Sequence, residues 1–228
     1  MKNKPEAYFS IGSFVPKHQT AWDRRDKITC VILSRGLSVT LRQEEVMSKA
    51  IGMIEFKTVS AGITAADTMV KTAQVELLEA QTVCPGKYIA LIGGALSAVQ
   101  AAVEAAKQVR GEELIGSFVL GNPHESIFPA IYGSTHIEKV NAYGIMETYD
   151  AASIIVAADV AAKTAIVDLI ELRIAKGMCG KSYLILTGEV AAVEAAIEKA
   201  KQAAAKDGMY LDSSVIAHPD EQICRSIL

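Results

Sequence analysis

The chain has 228 residues, half of them hydrophobic, 21% charged and 6% aromatic, with a net charge of −3. That balance suits a compact fold and excludes a disordered chain. With no basic run, RNP-like aromatic stretch or zinc-finger spacing, it also argues against nucleic acid as a partner. The apolar runs are too short and too interrupted by charge to cross a bilayer, so no membrane partner is expected. Met1 to Pro16 lacks the apolar core of a secretory signal. Cys30, Cys84, Cys179 and Cys224 form no CxxC pair. The plainest reading is four reduced, partly buried thiols, with metal or redox duty open.

Residues 1–46 have no counterpart elsewhere in the chain and hold its only tryptophan, Trp22, beside the charged run Asp23 to Lys27. Gln43-Glu44-Glu45-Val46 can be encoded as a purine-rich ribosome-binding sequence. Met47 is therefore expected as the start, and the stretch before it as a poorly ordered or non-native extension. From residue 51 the elements become legible. Ile51–Phe56 is an apolar run of strand length, and Ile63, Ala66, Met69, Val70 and Ala73 follow at helical spacing. Val75–Val83 alternates like a half-buried strand and ends at the turn signal Pro85-Gly86. Tyr88–Ile92 is a further strand, Leu96–Val109 an alanine-rich helix, and Leu114–Leu120 a closing strand.

The same series then repeats. The segment from Ala50 to Glu55 returns as Ala142 to Glu147, and Asp67 and Lys71 return as Asp159 and Lys163, all at an offset of 92. Lys87 to Gly94 returns as Lys181 to Gly188 at an offset of 94, so the second copy carries two extra residues before its Gly180-Lys181. Val119 to Glu125 returns as Val215 to Glu221 at an offset of 96. The chain is a duplicated domain, with a first copy over 47–134 and a second over 140–228. Each β-α-β-β-α-β copy predicts the α/β (α+β) ferredoxin-like arrangement, an antiparallel sheet with both helices on one face. At roughly 85 residues the core of one copy is modest, and a partner copy or an oligomer is expected.

Residues 65–83 (AADTMVKTAQVELLEAQTV) and 93–107 (GGALSAVQAAVEAAK), with their second-copy counterparts, resemble the bacterial microcompartment shell domain over about residues 48–228. Two unpermuted domains, Cys84-Pro85-Gly86-Lys87 and residues 145–163 (IMETYDAASIIVAADVAAK) resemble the T-type members of propanediol-utilisation compartments. The resemblance implies a homotrimer, a pseudo-hexagonal tile whose central pore is lined by the turns Cys84, Pro85, Gly86 and Gly177, Met178, Cys179, Gly180. It further implies other shell proteins as partners, and encapsulated redox enzymes as further ones. Without it, both turns read as ordinary hairpin connections.

Cys84 carries the sharpest implication. In the resembled type the matching cysteine holds an iron–sulfur cluster, so the expectation is one 4Fe-4S cluster per trimer on the threefold axis, serving electron transfer or redox sensing. Three thiolates leave one iron to another ligand. The positive charge of Lys87 would favour the thiolate if its side chain turned inward. Cys179 departs from the pattern, and three readings stay open for it: further cluster ligation, a different metal, or a small residue in a tight turn. Lys71 and Lys163 follow Asp67 and Asp159 by four residues; they read as plain i,i+4 pairs, and by resemblance as rim residues where tiles meet. Asn122 and His218 stand where the family often has arginine before proline, which points to a tile that slots among other shell proteins. The competing functions are a plain metabolite pore without a cluster and, outside the class, a small-molecule sensor. No nucleophile, base and acid recur together, so no enzyme is expected.

Overall fold

The computed structural model describes residues 50–137 and 139–227; the expectations for residues 1–46, Cys30 among them, lie outside these. In chain order the elements are β1 (Ala50–Phe56), α1 (Val59–Thr72), β2 (Val75–Val83), β3 (Lys87–Gly94), α2 (Leu96–Val109), a short 3-10 turn (Gly111–Glu113), β4 (Leu114–Gly121), α3 (Ile127–Ile131), β5 (Ala142–Thr148), α4 (Ala151–Thr164), β6 (Val167–Arg173), β7 (Ser182–Gly188), α5 (Val190–Lys206), β8 (Tyr210–Ala217) and α6 (Glu221–Ile227). The two antiparallel sheets have the orders β2-β3-β1-β4 and β6-β7-β5-β8. This is the expected βαββαβ fold, twice.

The copies agree in their irregularities as well as in their order. Register shifts fall between Leu77 and Glu79 in the first sheet and between Leu169 and Glu171 in the second, at matching positions. Asn122 and His218 follow the closing strands with φ of 51° and 50°, the left-handed region that few side chains adopt. Gly52 and Gly144 serve one packing need: a Cβ at Gly52 would lie 2.6 Å from Val99 Cγ1, and one at Gly144 2.8 Å from Val193 Cγ1. Only glycine lets α2 and α5 sit so close to the central strand of each sheet.

The first domain builds a core on the helical side of its sheet, where Ile54 and Phe56 meet Ala61, Ala65 and Met69 of α1 and Val99, Ala102 and Val103 of α2. Helix α1 starts at Thr58, whose hydroxyl accepts from Ala61 N at 3.4 Å; α4 starts at Asp150, which accepts from Ser153 N at 3.3 Å. Alternation turns the odd residues of β1 the other way. Ile51 and Met53, with Ile89 and Leu91 of β3, join one continuous core with α3, α4 and the interior of the second domain. Helix α3, in a stretch to which the sequence reading assigned no element, packs on β6 and closes this seam.

Candidate functional site

The turns expected at the pore come together within one chain. The first, Cys84 to Gly86, joins β2 to β3; the second runs from Ile174 to Lys181 and contains Gly177 (φ 71°), Cys179 (φ 54°) and Gly180 (φ 90°). A Cβ at Gly180 would stand 3.5 Å from Cys84 O and 3.3 Å from Lys87 Nζ. Position 180 therefore lies directly against the first turn, with little room for a side chain and a backbone that disfavours one. Cys84 is half-buried and Cys179 exposed, while Pro85 and Gly86 are exposed.

Lys87 does not point its charge freely at Cys84. Its ammonium bonds to Glu55 Oε1 at 3.0 Å, and the Glu55 side chain is only 3% exposed. The pair neutralises a buried carboxylate at the base of the first turn, a partner that charge patterning along the sequence did not reveal. Among the described residues of one chain, no three His, Cys, Asp or Glu side chains are grouped to hold a metal ion. A thiolate site built on Cys84 needs further copies of the chain.

Lys71 and Lys163 occupy matching positions in different surroundings. Lys71 Nζ bonds to Asp67 Oδ2 at 2.6 Å on an open helix face, with side chains 72% and 54% exposed. Lys163 Nζ bonds to Asp159 Oδ2 at 2.7 Å and also to Asn122 O, in the first domain, at 2.7 Å. Asp159, nearly buried, accepts from His124 N at 2.7 Å through its other oxygen. The second pair thus ties α4 to the loop after β4. Further along the seam, Lys176 Nζ meets Glu79 Oε1 at 2.6 Å and Tyr132 OH donates to Leu78 O at 3.1 Å. Burial and the nearby Glu79 and Glu76 carboxylates raise the Tyr132 hydroxyl above its ordinary pKa, so it remains a donor. Sequence reasoning missed this network; the repeat of Asp67 and Lys71 at 159 and 163 was its one legible trace.

Two faces of the chain lack the cover that their copies have. Ile63 on α1 is 53% exposed and Leu77 on β2 43%, while their counterparts Ile155 and Leu169 are fully buried at the seam. Conversely Met53 and Leu91 are buried under the seam, while their counterparts Ile145 and Ile185 on the second sheet are half-buried. Ile127 of α3 is fully buried, and the matching Ile223 of α6 is 48% exposed.

The architecture is thus a duplicated βαββαβ domain with adjoining turns and open apolar positions at Ile63, Leu77 and Ile223. The BMC domain family matches residues 50–123 and 142–219, and the chain belongs to this family of bacterial microcompartment shell proteins. It is 39% identical over 182 residues to the bacterial microcompartment shell protein PduT of Citrobacter freundii, covering 80% of this chain and 99% of that one. It is also 39% identical over 104 residues to the carboxysome shell protein CcmK2 of Synechocystis, covering 42% of this chain and all of that one, the length of a single copy. A solved microcompartment protein from Desulfitobacterium hafniense shares 46% identity at a TM-score of 0.73, over 77% of this chain and 98% of that one. The Citrobacter and Synechocystis relatives are both shell proteins by name. Among the described residues no helix is long and apolar enough to cross a membrane.

Proposed function

We propose that the chain is a trimeric shell tile, in which the contact between its two domains recurs between chains. One observation carries this reading: apolar positions buried at the internal seam have exposed copies at both ends of the molecule. Ile63 and Leu77 are what the next chain's second sheet would cover, with Ile145, Ile185 and Ile223 as the covering face. Burying an isoleucine fully is worth about 1.5–3 kcal/mol, so several together can hold an assembly. The surfaces differ, so the contact is head-to-tail, and such a contact either closes into a ring or runs on as a fibre. Three chains supply six domains, the number in which a sixty-degree step closes. The paired turns would then gather at the axis, and Lys71 and Lys163 would lie where the seams reach the perimeter. The perimeter is the edge available to other shell proteins.

At that axis Cys84 would present three thiolates, the donor type that iron–sulfur clusters use. The residues fit such a group in chemistry: a thiol with access to solvent, in a tight turn whose Gly86 has open space around it. A cluster held there would supply one-electron transfer across the shell. Cys179, exposed in the adjoining turn, is the one further thiol near it in the described chain. The test is iron and sulfide content after anaerobic reconstitution. Wild type is expected to bind about one cluster per trimer and Cys84→Ser none, with the fold unchanged by circular dichroism. Equal iron in both would leave Cys84 lining a plain metabolite pore. Partial loss in Cys179→Ser would give the second turn a share in ligation.

A further inference from the structure

From the bonds that cross the internal seam, and on the reading that a second copy follows the first, we infer that Lys71 and Asp67 form a polar latch onto the loop after β8 of the neighbouring chain. Lys71 Nζ would donate to the neighbour's His218 O, and Asp67 would accept from the neighbour's Asp220 N. Each atom has its model inside the chain, where Lys163 Nζ donates to Asn122 O and Asp159 Oδ1 accepts from His124 N. The offset of 92 takes Asp67 and Lys71 to Asp159 and Lys163, and the offset of 96 takes Asn122 and His124 to His218 and Asp220.

Three features make the transfer more than an alignment. Asn122 and His218 share the same left-handed φ, 51° and 50°, so both loops leave their strands through the same uncommon backbone turn. Lys71 and Asp67 already hold the ion pair that Lys163 and Asp159 make, at 2.6 Å against 2.7 Å, and therefore present the same two atoms. The exposure differs in the direction expected: the Asp159 side chain is 7% exposed with its loop in place, and Asp67 54% exposed without one. Asp220 puts a carboxylate where the first copy has an imidazole, but its Oδ1 accepts from Gln222 N at 2.9 Å within its own loop. Lys71 would lie between the two acids and offset their repulsion. The lysine is thus assigned to the joint within a tile as well as to its perimeter.

The experiment compares Lys71→Met with Lys163→Met in the full chain, measuring the concentration dependence of the trimer by sedimentation velocity and the unfolding temperature by calorimetry. A hydrogen bond to a charged group is worth enough to shift an equilibrium by about tenfold or more. Lys71→Met is expected to raise the trimer's dissociation midpoint by about that factor, with Lys71→Arg restoring much of it. Lys163→Met is expected to leave the midpoint near wild type and to lower the unfolding temperature instead. A second measurement reads proximity directly. With the native cysteines changed to serine, Asp67→Cys combined with Asp220→Cys should give chains linked to one another on a non-reducing gel, while Asp159→Cys with His124→Cys should link only within a chain. A trimeric Lys71→Met with an unchanged midpoint, or no interchain link in the cysteine pair, overturns the latch and leaves the tile standing. A monomeric wild type overturns both.

Discussion

Helices α1 and α4 are the same helix written twice, and they ended in different environments. Helix α1 buries one face: Ala61, Gly62, Ala65, Ala66 and Met69. Helix α4 buries that face and a second one, including Ile155, Asp159 and Ala162, because the first domain's sheet and the loop after β4 lie over it. What differs between them is the neighbour, and the sequence had prepared both for one. Ile63 on the open helix matches Ile155 on the covered one, and an isoleucine more than half exposed is poorly explained by the needs of a single chain. A covered helix shows what an uncovered copy of it is waiting for.

The comparison breaks most sharply at that position. Ile155→Asp would place a carboxylate in the seam with no partner, at a cost on the order of several kcal/mol, and is expected to abolish soluble folded protein. Ile63→Asp meets solvent in the single chain and should cost the monomer no more than about 0.5 kcal/mol, yet leave it unable to assemble. Unfolding followed by circular dichroism, alongside size-exclusion chromatography, separates the two outcomes. If Ile63→Asp assembles as wild type does, α1 is a solvent face and the parallel fails.

The lysines at the start of β3 and just before β7 come next. Lys87 neutralises the buried Glu55, and removing one partner of such a pair costs about 3–5 kcal/mol; the Lys87 side chain is 24% exposed, so the lower end is expected for Lys87→Met in urea unfolding. Lys181 makes no ion pair among the described residues, and Lys181→Met should fall within about 0.5 kcal/mol of wild type. A large loss at Lys181 would mean that the second turn has its own acid partner in the assembly. The smallest contrast is between the two glycines. Gly52→Ala and Gly144→Ala should each cost about 1–3 kcal/mol by overpacking the sheet against its helix, and by similar amounts, because both meet valine side chains at near-equal distances. A calorimetric difference of more than about 2 kcal/mol between them would show that the two cores are not equivalent.

Much of this was legible beforehand for a physical reason: β-alternation, helical spacing and Pro-Gly turns are local signals, and duplication let each copy check the other. The strands and helices from Ile51 to Leu120 fall within two or three residues of the predicted bounds at most ends, with α1 beginning four residues earlier, at Val59 after its Thr58 cap. The nearness of Cys84 to the Gly180 turn followed from the family resemblance more than from the residues themselves. The seam was not legible. The backbone acceptor at Asn122, the buried acid at Glu55 and the bond from Lys176 to Glu79 join residues between 32 and 97 positions apart, and no spacing rule connects them. Helix α3 was hidden by brevity: five residues with a proline among them carry no helical period, and only the fold shows Ile127 and Ala130 fully buried.

The central claim is that the seam inside the chain is also the seam between chains. Sedimentation equilibrium of the purified full-length protein tests it most directly. The account predicts a single species at three times the 24.3 kDa chain mass, which does not grow with concentration under conditions that prevent sheet formation. A monomer stable at micromolar concentration, or an open series of ever larger species, would contradict it.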